Sequence, residues 1–294
     1  MNWRSSTDGN RRSANLRVAV IGGRDSDSDE VSAVQNYDPE IDVWSTLNDV
    51  PTAVALHSAT GCGNSLYSIG GVDGEGNELD DVYEYDIEAR SWAPVESLPN
   101  TVASAGAACV GSKIYSVAGD VGGERDDTVF EYDTETDSWS TVAALPVEVD
   151  SHAVSSLNGK VYSVGGDASG RTESVYEYDP DADTWSAVAD LPKGVSAHAA
   201  AAVAGKLYSL GGIDEDLQIT DAVHEYDPDA DSWTSVADMP ISDADHAVAA
   251  SDGKLYAIMA DGTDVFEYDP DADTWSSVGD IPTDVSNHAV AVKP

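Results

Sequence analysis

The sequence predicts an all-β protein built from six copies of one unit of four short strands. Three observations support this prediction. First, the 294 residues contain many short apolar runs rich in Val, Tyr and Ile; Gly, Pro and Asp bound these runs and leave no room for long helices. Second, a pair of small residues recurs every 46 to 48 positions. Third, one tryptophan recurs with each pair, so the chain repeats a single unit.

The elements follow the same order in every unit. A strand of small residues, such as 198–203, is followed by a turn and by a second strand, such as 206–210, that ends at the small-residue pair. A variable loop, a third strand such as 175–179, a tight turn and a short strand with the tryptophan complete the unit. The pairs are Gly22-Gly23, Gly70-Gly71, Ala118-Gly119, Gly165-Gly166, Gly211-Gly212 and Met259-Ala260, and the tryptophans are Trp44, Trp92, Trp139, Trp185, Trp233 and Trp275.

Paired glycines after an apolar strand, then Tyr-Asp-Pro and Trp, resemble the kelch repeat. The resemblance covers residues 16 to 292 and implies a six-bladed β-propeller of four-stranded antiparallel blades. The first unit begins at Leu16 with its second strand, and the chain ends with a spare strand at 288–292. We therefore expect the C-terminal strand to complete the first blade and close the ring. Ala118 and Met259 interrupt the glycine pairs, which predicts local distortion of blades 3 and 6.

Charge is the most unusual property of the chain. It has 55 Asp and Glu against 14 Lys and Arg, a formal net charge of −41. Such a surface has few Lys and Arg to neutralise the phosphates of DNA or RNA, so we expect no nucleic-acid partner. No apolar run approaches the ~18 residues of a membrane helix, so we expect no membrane partner either. The composition resembles that of a salt-adapted, haloarchaeal-type protein; the alternative is an acidic protein of an ordinary cytoplasm.

We expect the protein to unfold when it is diluted from molar KCl into low salt. At ~1 M ionic strength the Debye length is ~3 Å, so dense carboxylates hardly repel one another. At low salt the same charges oppose the compact state. Thermal melting at a series of KCl concentrations measures the effect. A melting temperature that does not change with salt would contradict the prediction.

The chain ends and the cysteines bear on localisation and stability. We interpret residues 1–15 as a basic solvated tail and residues 16–294 as a single propeller domain. No apolar segment of an export signal follows Arg11-Arg12, so we expect a cytoplasmic protein, with export as the alternative. Cys62 and Cys109 are too few for a disulfide framework, so we expect the fold to depend on packing rather than on cross-links.

The variable loops are where we place the candidate binding site. Each of the first five repeat tryptophans is followed by the next small-residue pair after 26 positions, so the length variation lies between the second strand and the Trp. In repeat proteins such loops map to one face, often the binding face. The connections between blades share that face. The variable loops are residues 24–30, 72–81, 120–127, 167–174, 213–221 and 261–264.

Six residues of this face are candidates for ligand binding. Arg24, Arg125 and Arg171 are cations in an otherwise acidic rim and suit an anionic group such as a sugar carboxylate. The alternative is that each pairs with neighbouring acids. The acidic candidates are Asp150, Asp214 and Asp245.

Two patterns resemble metal sites. Histidines at one inner-strand position, 13 residues after a Trp, would form a ring, but side chains normal to a radial sheet point at neighbouring blades, which favours a structural role. Glu148, Asp150 and His152 alternate and would offer two oxygens and one nitrogen if that stretch is extended. The aspartates of 179–183 resemble the start of a calcium loop but lack its later ligands, which favours a turn. The ring histidines are His57, His152, His198, His246 and His288.

These observations predict a non-catalytic binding or scaffolding module that recognises a protein or a small polar ligand through acidic loops on one face, without a cofactor. The alternative is a sugar-processing enzyme resembling the kelch-type sialic acid epimerases, in which the channel supplies an acid, a base and an arginine. A buried carboxyl with a raised pKa beside an arginine in the channel would distinguish the two. The sequence does not indicate the oligomeric state.

Overall fold

The computed structural model describes residues 16–260 and 262–293. The predicted tail, residues 1–15, lies outside the described residues, as do positions 261 and 294. The described chain forms six four-stranded antiparallel sheets that are the blades of a propeller, which confirms the predicted fold class. Within these ranges no helix has the length and apolar character needed to cross a membrane.

The strands follow the order expected from the repeat. In chain order they are β1 (Val18–Ile21), β2 (Val34–Asp38), β3 (Val43–Thr46), β4 (Ser58–Cys62), β5 (Ser65–Ile69), β6 (Val82–Asp86), β7 (Ser91–Pro94), β8 (Gly106–Val110), β9 (Lys113–Val121), β10 (Glu124–Asp133), β11 (Ser138–Thr141), β12 (Ala153–Leu157), β13 (Lys160–Val164), β14 (Val175–Asp179), β15 (Thr184–Ala187), β16 (Val195–Ser196), β17 (Ala199–Val203), β18 (Lys206–Leu210), β19 (Ile213–Asp214), β20 (Val223–Asp227), β21 (Ser232–Ser235), β22 (Ala247–Ser251), β23 (Lys254–Ile258), β24 (Val265–Asp269), β25 (Thr274–Ser277) and β26 (Ala289–Val292).

The C-terminal strand closes the ring, as predicted. The first blade has the strand order β26-β1-β2-β3, and β26 pairs antiparallel with β1 from Val18 opposite Val292 to Ile21 opposite Ala289. Ala291 is buried in a cluster that includes Ala19. The first and last strands of the described chain are therefore central and inner strands of one blade, and β26 covers the edge that β1 would otherwise leave open.

A hydrogen-bond latch joins each blade to the one before it. In blade 4, Trp185 Nε1 donates to the Ala143 carbonyl oxygen at 2.9 Å, and the Ala143 N–H donates to Asp183 Oδ1 at 2.7 Å. Asp183 also accepts a hydrogen bond from the Tyr178 hydroxyl at 2.8 Å. Both backbone groups of one residue are thus satisfied across the joint. The same arrangement recurs at Asp42 with Trp44, Asp137 with Trp139, Asp231 with Trp233 and Asp273 with Trp275.

The latch and the turn before it account for the aspartates that resemble a calcium loop. Asp179 Oδ1 accepts the N–H groups of Asp181 and Ala182 at 2.9 and 3.3 Å, as an Asx turn does. Asp183 has a φ of 51° and holds the preceding blade. In blade 2 this position is Arg90 instead of aspartate. The joint between blades 1 and 2 therefore has the bond from Trp92 Nε1 to the Asn48 carbonyl oxygen but lacks the bond to an aspartate.

A disulfide joins Cys62 in β4 to Cys109 in β8, with the two Sγ atoms 2.08 Å apart. It links the inner strands of blades 2 and 3. The expectation of a fold without cross-links was therefore wrong. The two cysteines are 47 residues apart, one fewer than the 48 that separate equivalent residues of blades 2 and 3, so Cys109 lies one position before the residue equivalent to Cys62. Because successive side chains of a strand point to opposite sides, this offset lets the two Sγ atoms face each other.

Blade 3 departs from the other blades beyond its second strand. Residues 120–127, predicted as a loop, belong mainly to β9 and β10, which continue to a two-residue turn at Gly122-Gly123. Both glycines have positive φ, 67° and 84°, as a tight hairpin turn requires. The register shifts between Asp126 and Val129, away from Ala118, where the distortion was predicted. Ala118 keeps the left-handed φ of 52° found at the paired glycines.

Candidate functional site

The variable loops and the connections between blades lie on one face and are hydrogen-bonded to each other. β16 pairs with β19, and single bridges join Ala55 to Val72, Ala103 to Asp120 and Asp150 to Asp167. We call this surface, formed by the variable loops and the connections that precede the inner strands, the loop face. The pairing makes it a continuous, backbone-supported surface.

Six residues at the centre of the loop face form a ring around the channel mouth. Each precedes an inner strand and adopts a left-handed φ between 50° and 60°. Five backbone hydrogen bonds of 2.8–3.3 Å connect them, each from the N–H of one blade to the carbonyl oxygen of the preceding blade. Leucine and alanine rarely adopt this conformation, so the ring is held by the surrounding structure. The members of this mouth ring are Leu56, Ser104, Ser151, Ala197, Asp245 and Asn287.

The five ring histidines lie directly after mouth-ring residues and point at neighbouring blades, as predicted. A Cβ atom on Gly71 would lie 2.7 Å from the Cβ of His57, and one on Gly22 of the preceding blade 3.0 Å from its Cε1. Both glycines have positive φ, so the glycine pairs leave the space that the imidazoles occupy. Blade 3 has Ala105 at the histidine position.

Burial sets the protonation of these histidines. Desolvation lowers the pKa of His57, His198 and His246 to about 3, assisted by repulsion from other ring histidines. It lowers the pKa of His152 and His288 to about 4, where backbone groups at Val117 and Val285 counteract part of the effect. All five imidazoles are therefore neutral at neutral pH.

The channel contains two cavities of different character. One, of about 150 Å³, lies at the mouth and is lined by the mouth ring and the ring histidines. The other, of about 510 Å³, is lined by the small side chains of the inner strands, such as Ala59, Ser155 and Ala201, and by Lys293. Among the described residues that line this larger cavity there is no Asp, Glu or Arg.

Three predicted site residues meet on the loop face between blades 3 and 4. Arg125 Nε lies 3.1 Å from Asp150 Oδ2, and Arg125 Nη2 lies 2.7 Å from Asp167 Oδ1. Arg171 Nη1 lies 3.5 Å from the other oxygen of Asp167. The two guanidinium groups thus share one carboxylate, and a second carboxylate completes the cluster.

The other predicted site residues lie apart from this cluster. Arg24 pairs with Glu30, Nε to Oε1 at 3.0 Å. Asp214 accepts from Lys193 Nζ at 2.8 Å, and this bond lowers the pKa of the Asp214 carboxyl. Asp245 belongs to the mouth ring, and its N–H donates to Ala197. The sequence therefore located one shared cluster and three separate positions on the same face.

The repeated tryptophans and glycine pairs that form these contacts belong to a sequence pattern that matches a known protein family. The family model of the KLHDC2/KLHL20/DRC7 Kelch-repeats domain matches residues 11–190 and 104–293, which together span most of the chain. The protein belongs to the kelch-repeat family. Kelch propellers are typically protein-binding scaffolds. No match is found among the curated proteins.

This kelch propeller does not bring Glu148, Asp150 and His152 together. The alternation requires an extended chain, but Ser151 has a φ of 51°, so the backbone turns between the last two residues. Glu148 is exposed, His152 is buried and Asp150 pairs with Arg125. In the described ranges, no group of three His, Cys, Asp or Glu side chains is placed to hold a metal ion.

Sequence reasoning missed Asp25, Asp73 and Asp167, and it missed the role that aspartates, including the predicted candidate Asp214, have in organising the loops of this kelch propeller. Asp167 connects both arginines of the cluster, and Asp25, Asp73 and Asp214 each accept two backbone N–H groups within their own loops. A signal was present in the sequence, because an aspartate follows each of the first five small-residue pairs by one or two positions. The abundance of acids hid this regularity.

Proposed function

We propose that this kelch propeller is a non-catalytic binding module that recognises a protein partner through its loop face. The observation that carries the proposal is the pairing of the variable loops with the connections between blades. This pairing joins the most variable segments of the repeat into one rigid surface. Such surfaces suit recognition because little conformational entropy is lost on binding.

The ion pairs of the loop face support a protein partner over a small anionic ligand. Arg24, Arg125 and Arg171 each have a carboxylate within 3.5 Å. A sugar carboxylate would have to displace these acids, whereas a protein surface can contact the clusters without separating them. The small polar ligand remains the second possibility for the mouth.

The channel supports a binding module over the sugar-processing alternative. That alternative needs a carboxyl with a raised pKa beside an arginine, and the lining of the larger cavity has neither group in the part of the chain described. The carboxylate pairs of Arg24 and Arg125 lie on the loop face instead. A rise in melting temperature with an acidic sugar, but not with neutral sugars, would favour the alternative.

We expect binding to be blocked from the loop face and not from the opposite face. Short peptides selected from a random display library against the propeller in molar KCl provide the probe. Single cysteines in place of exposed Ser28 or Ser169 attach a bulky polyethylene glycol to the loop face. Glu135→Cys, in the exposed turn after β10 on the opposite face, is the matched control.

The expected result is that attachment at Ser28 or Ser169 abolishes peptide binding, because the polymer covers the loops, while attachment at position 135 leaves it unchanged. Blocking only from position 135, or from neither face, would contradict the proposed function. Melting temperatures of the modified proteins show that each remains folded.

A further inference from the structure

The exposed large aliphatic side chains are concentrated in one part of the loop face. Leu217 is 65% exposed, Ile219 56% and Ile241 38%; Val43 is the other large apolar residue exposed in the described chain. The first two lie in the variable loop of blade 5 and Ile241 lies in the connection to blade 6. The backbone joins these segments, because the Asp243 N–H donates to the Thr220 carbonyl oxygen at 3.4 Å.

The loop of blade 5 has the same backbone design as the loops of blades 1 and 2. In each, an aspartate accepts the N–H groups of the second and fourth residues after it, and its own N–H donates to the fourth. The third residue after the aspartate has a left-handed φ of 66°, 78° and 62° in the three loops. These equivalent residues are Ser28, Gly76 and Leu217.

Leu217 is the unfavourable choice at this position. A bulky L-residue is disfavoured in the left-handed region, where glycine fits without cost. Two-thirds of its side chain is exposed, so little burial offsets the strain. Strain of this kind persists where a site requires it, and an exposed leucine at a loop tip offers contact area to a partner.

The support beneath these side chains is held by an ion-pair bridge, and its two segments are strongly acidic. Lys193 Nζ bridges the carboxylates of Asp214 and Asp216 at 2.8 and 2.7 Å and fixes the base of the loop. Residues 213–221 and 238–245 carry seven carboxylates and no Lys or Arg. Exposed acids such as Glu215 and Asp221 therefore surround the aliphatic side chains.

We propose that Leu217, Ile219 and Ile241 form the docking surface for a polypeptide segment that presents an aliphatic or aromatic side chain next to Lys or Arg. The apolar contact provides affinity that salt does not screen. The surrounding acids select basic neighbours through short-range pairs, since long-range attraction is lost at molar salt. This inference rests on the proposed function and assigns it to blades 5 and 6.

Replacement of Leu217 by glycine tests the proposal. The probe is again the set of short random peptides selected on the wild-type propeller in molar KCl, with Kd measured by fluorescence anisotropy. We expect the selected peptides to combine an apolar residue with Lys or Arg. L217G should weaken their binding by about tenfold or more, while its melting temperature stays equal or rises because the left-handed strain is relieved. I219S should weaken binding in the same direction.

The double variant S28L/L217G is the matched control, because it moves the leucine to the equivalent position of blade 1 and keeps the composition of the loop face. It should bind as weakly as L217G. Peptides that bind L217G within about twofold of wild type, a double variant with wild-type affinity, or selected peptides without the apolar and basic pattern would overturn the proposal. If attachment at Ser28 or Ser169 still blocks those peptides, the proposed function stands and only this docking surface is wrong.

Discussion

Removal of residues 287–294 is expected to abolish the cooperative folding of the protein. The deletion removes β26, which pairs with β1 along four residues and contributes buried Ala289 and Ala291. It also removes Asn287, whose carbonyl oxygen accepts the Leu56 N–H in the mouth ring. The loss exposes the edge of β1 and opens the ring. Domains are stable by only about 5–15 kcal/mol, so we expect no melting transition in molar KCl.

The matched control for this deletion is a chain that ends after Val292. It keeps β26 and, among the contacts of the described residues, loses the bond from the Lys293 N–H to the Arg17 carbonyl oxygen, so its melting temperature should stay close to that of the full chain. Ala291→Arg places a large charge in the same buried position without shortening the chain and should be strongly destabilising. A truncated chain that melts at the temperature of the full chain would refute ring closure as a source of stability.

Acid should destabilise the protein through its five buried ring histidines as the pH falls from about 6.5 toward about 4. The ring histidines have native pKa values of about 3 to 4, below the ordinary value of about 6.5 in an unfolded chain. Their contribution to stability is complete above about pH 6.5 and is lost as the pH falls toward about 4, because only the unfolded chain then binds the protons. Each histidine thereby lowers the free energy of unfolding by up to about 1.4 kcal/mol for every pH unit in this range.

Urea unfolding in molar KCl between about pH 8 and about pH 4.5 measures this loss. The slope of the unfolding free energy against pH gives the number of protons taken up, and several histidines should contribute. His198→Ala copies the alanine that blade 3 has at this position and should reduce the proton uptake by about one. An unfolding free energy that stays constant down to about pH 4.5 would contradict the prediction. Asp133, whose pKa is lowered to about 2 by its bond to Lys113, acts only at lower pH.

The repeat made the architecture predictable, and the contacts between repeats were harder to predict. The number of blades and the role of the C-terminal strand follow from counting recurring strands. The hydrogen-bond partners of the latch residues do not follow from such counting. Trp185 and Ala143 are 42 positions apart and come into contact only when two blades pack. The left-handed conformation of the mouth-ring residues also depends on contacts between blades. Leu56 and Ala197 have no local preference for that backbone, so tertiary hydrogen bonds impose it.

Two features that were predicted wrongly, the hairpin of blade 3 and the disulfide, are indicated by patterns in the sequence. Gly122-Gly123 between strand-like segments is a known indicator of a tight hairpin, yet residues 120–127 were interpreted as a loop because of their position in the repeat. Cys62 and Cys109 are 47 residues apart, one fewer than the repeat of 48 at this place, which puts them at adjacent positions of neighbouring inner strands with their side chains turned toward each other. For the candidate site, the variable lengths predicted which segments share one face, and the structure pairs those segments with each other; that this face binds a partner stays a prediction. The sequence did not show Leu217 as a strained, exposed residue, since that depends on the backbone of its loop.

The latch between blades has a consequence for the size of the molecule. In a linear repeat array, stability is roughly a sum over neighbouring repeats, so a repeat can be gained or lost at an end. Here the backbone of each blade is completed by side chains of the next, and blade 6 is completed by Trp44 and Asp42 of blade 1. A chain with one blade fewer or more would leave such a pair of groups without its partner unless the whole circle adjusted. Evolution of this protein by duplication of single blades therefore requires a change of the entire ring rather than growth at one end.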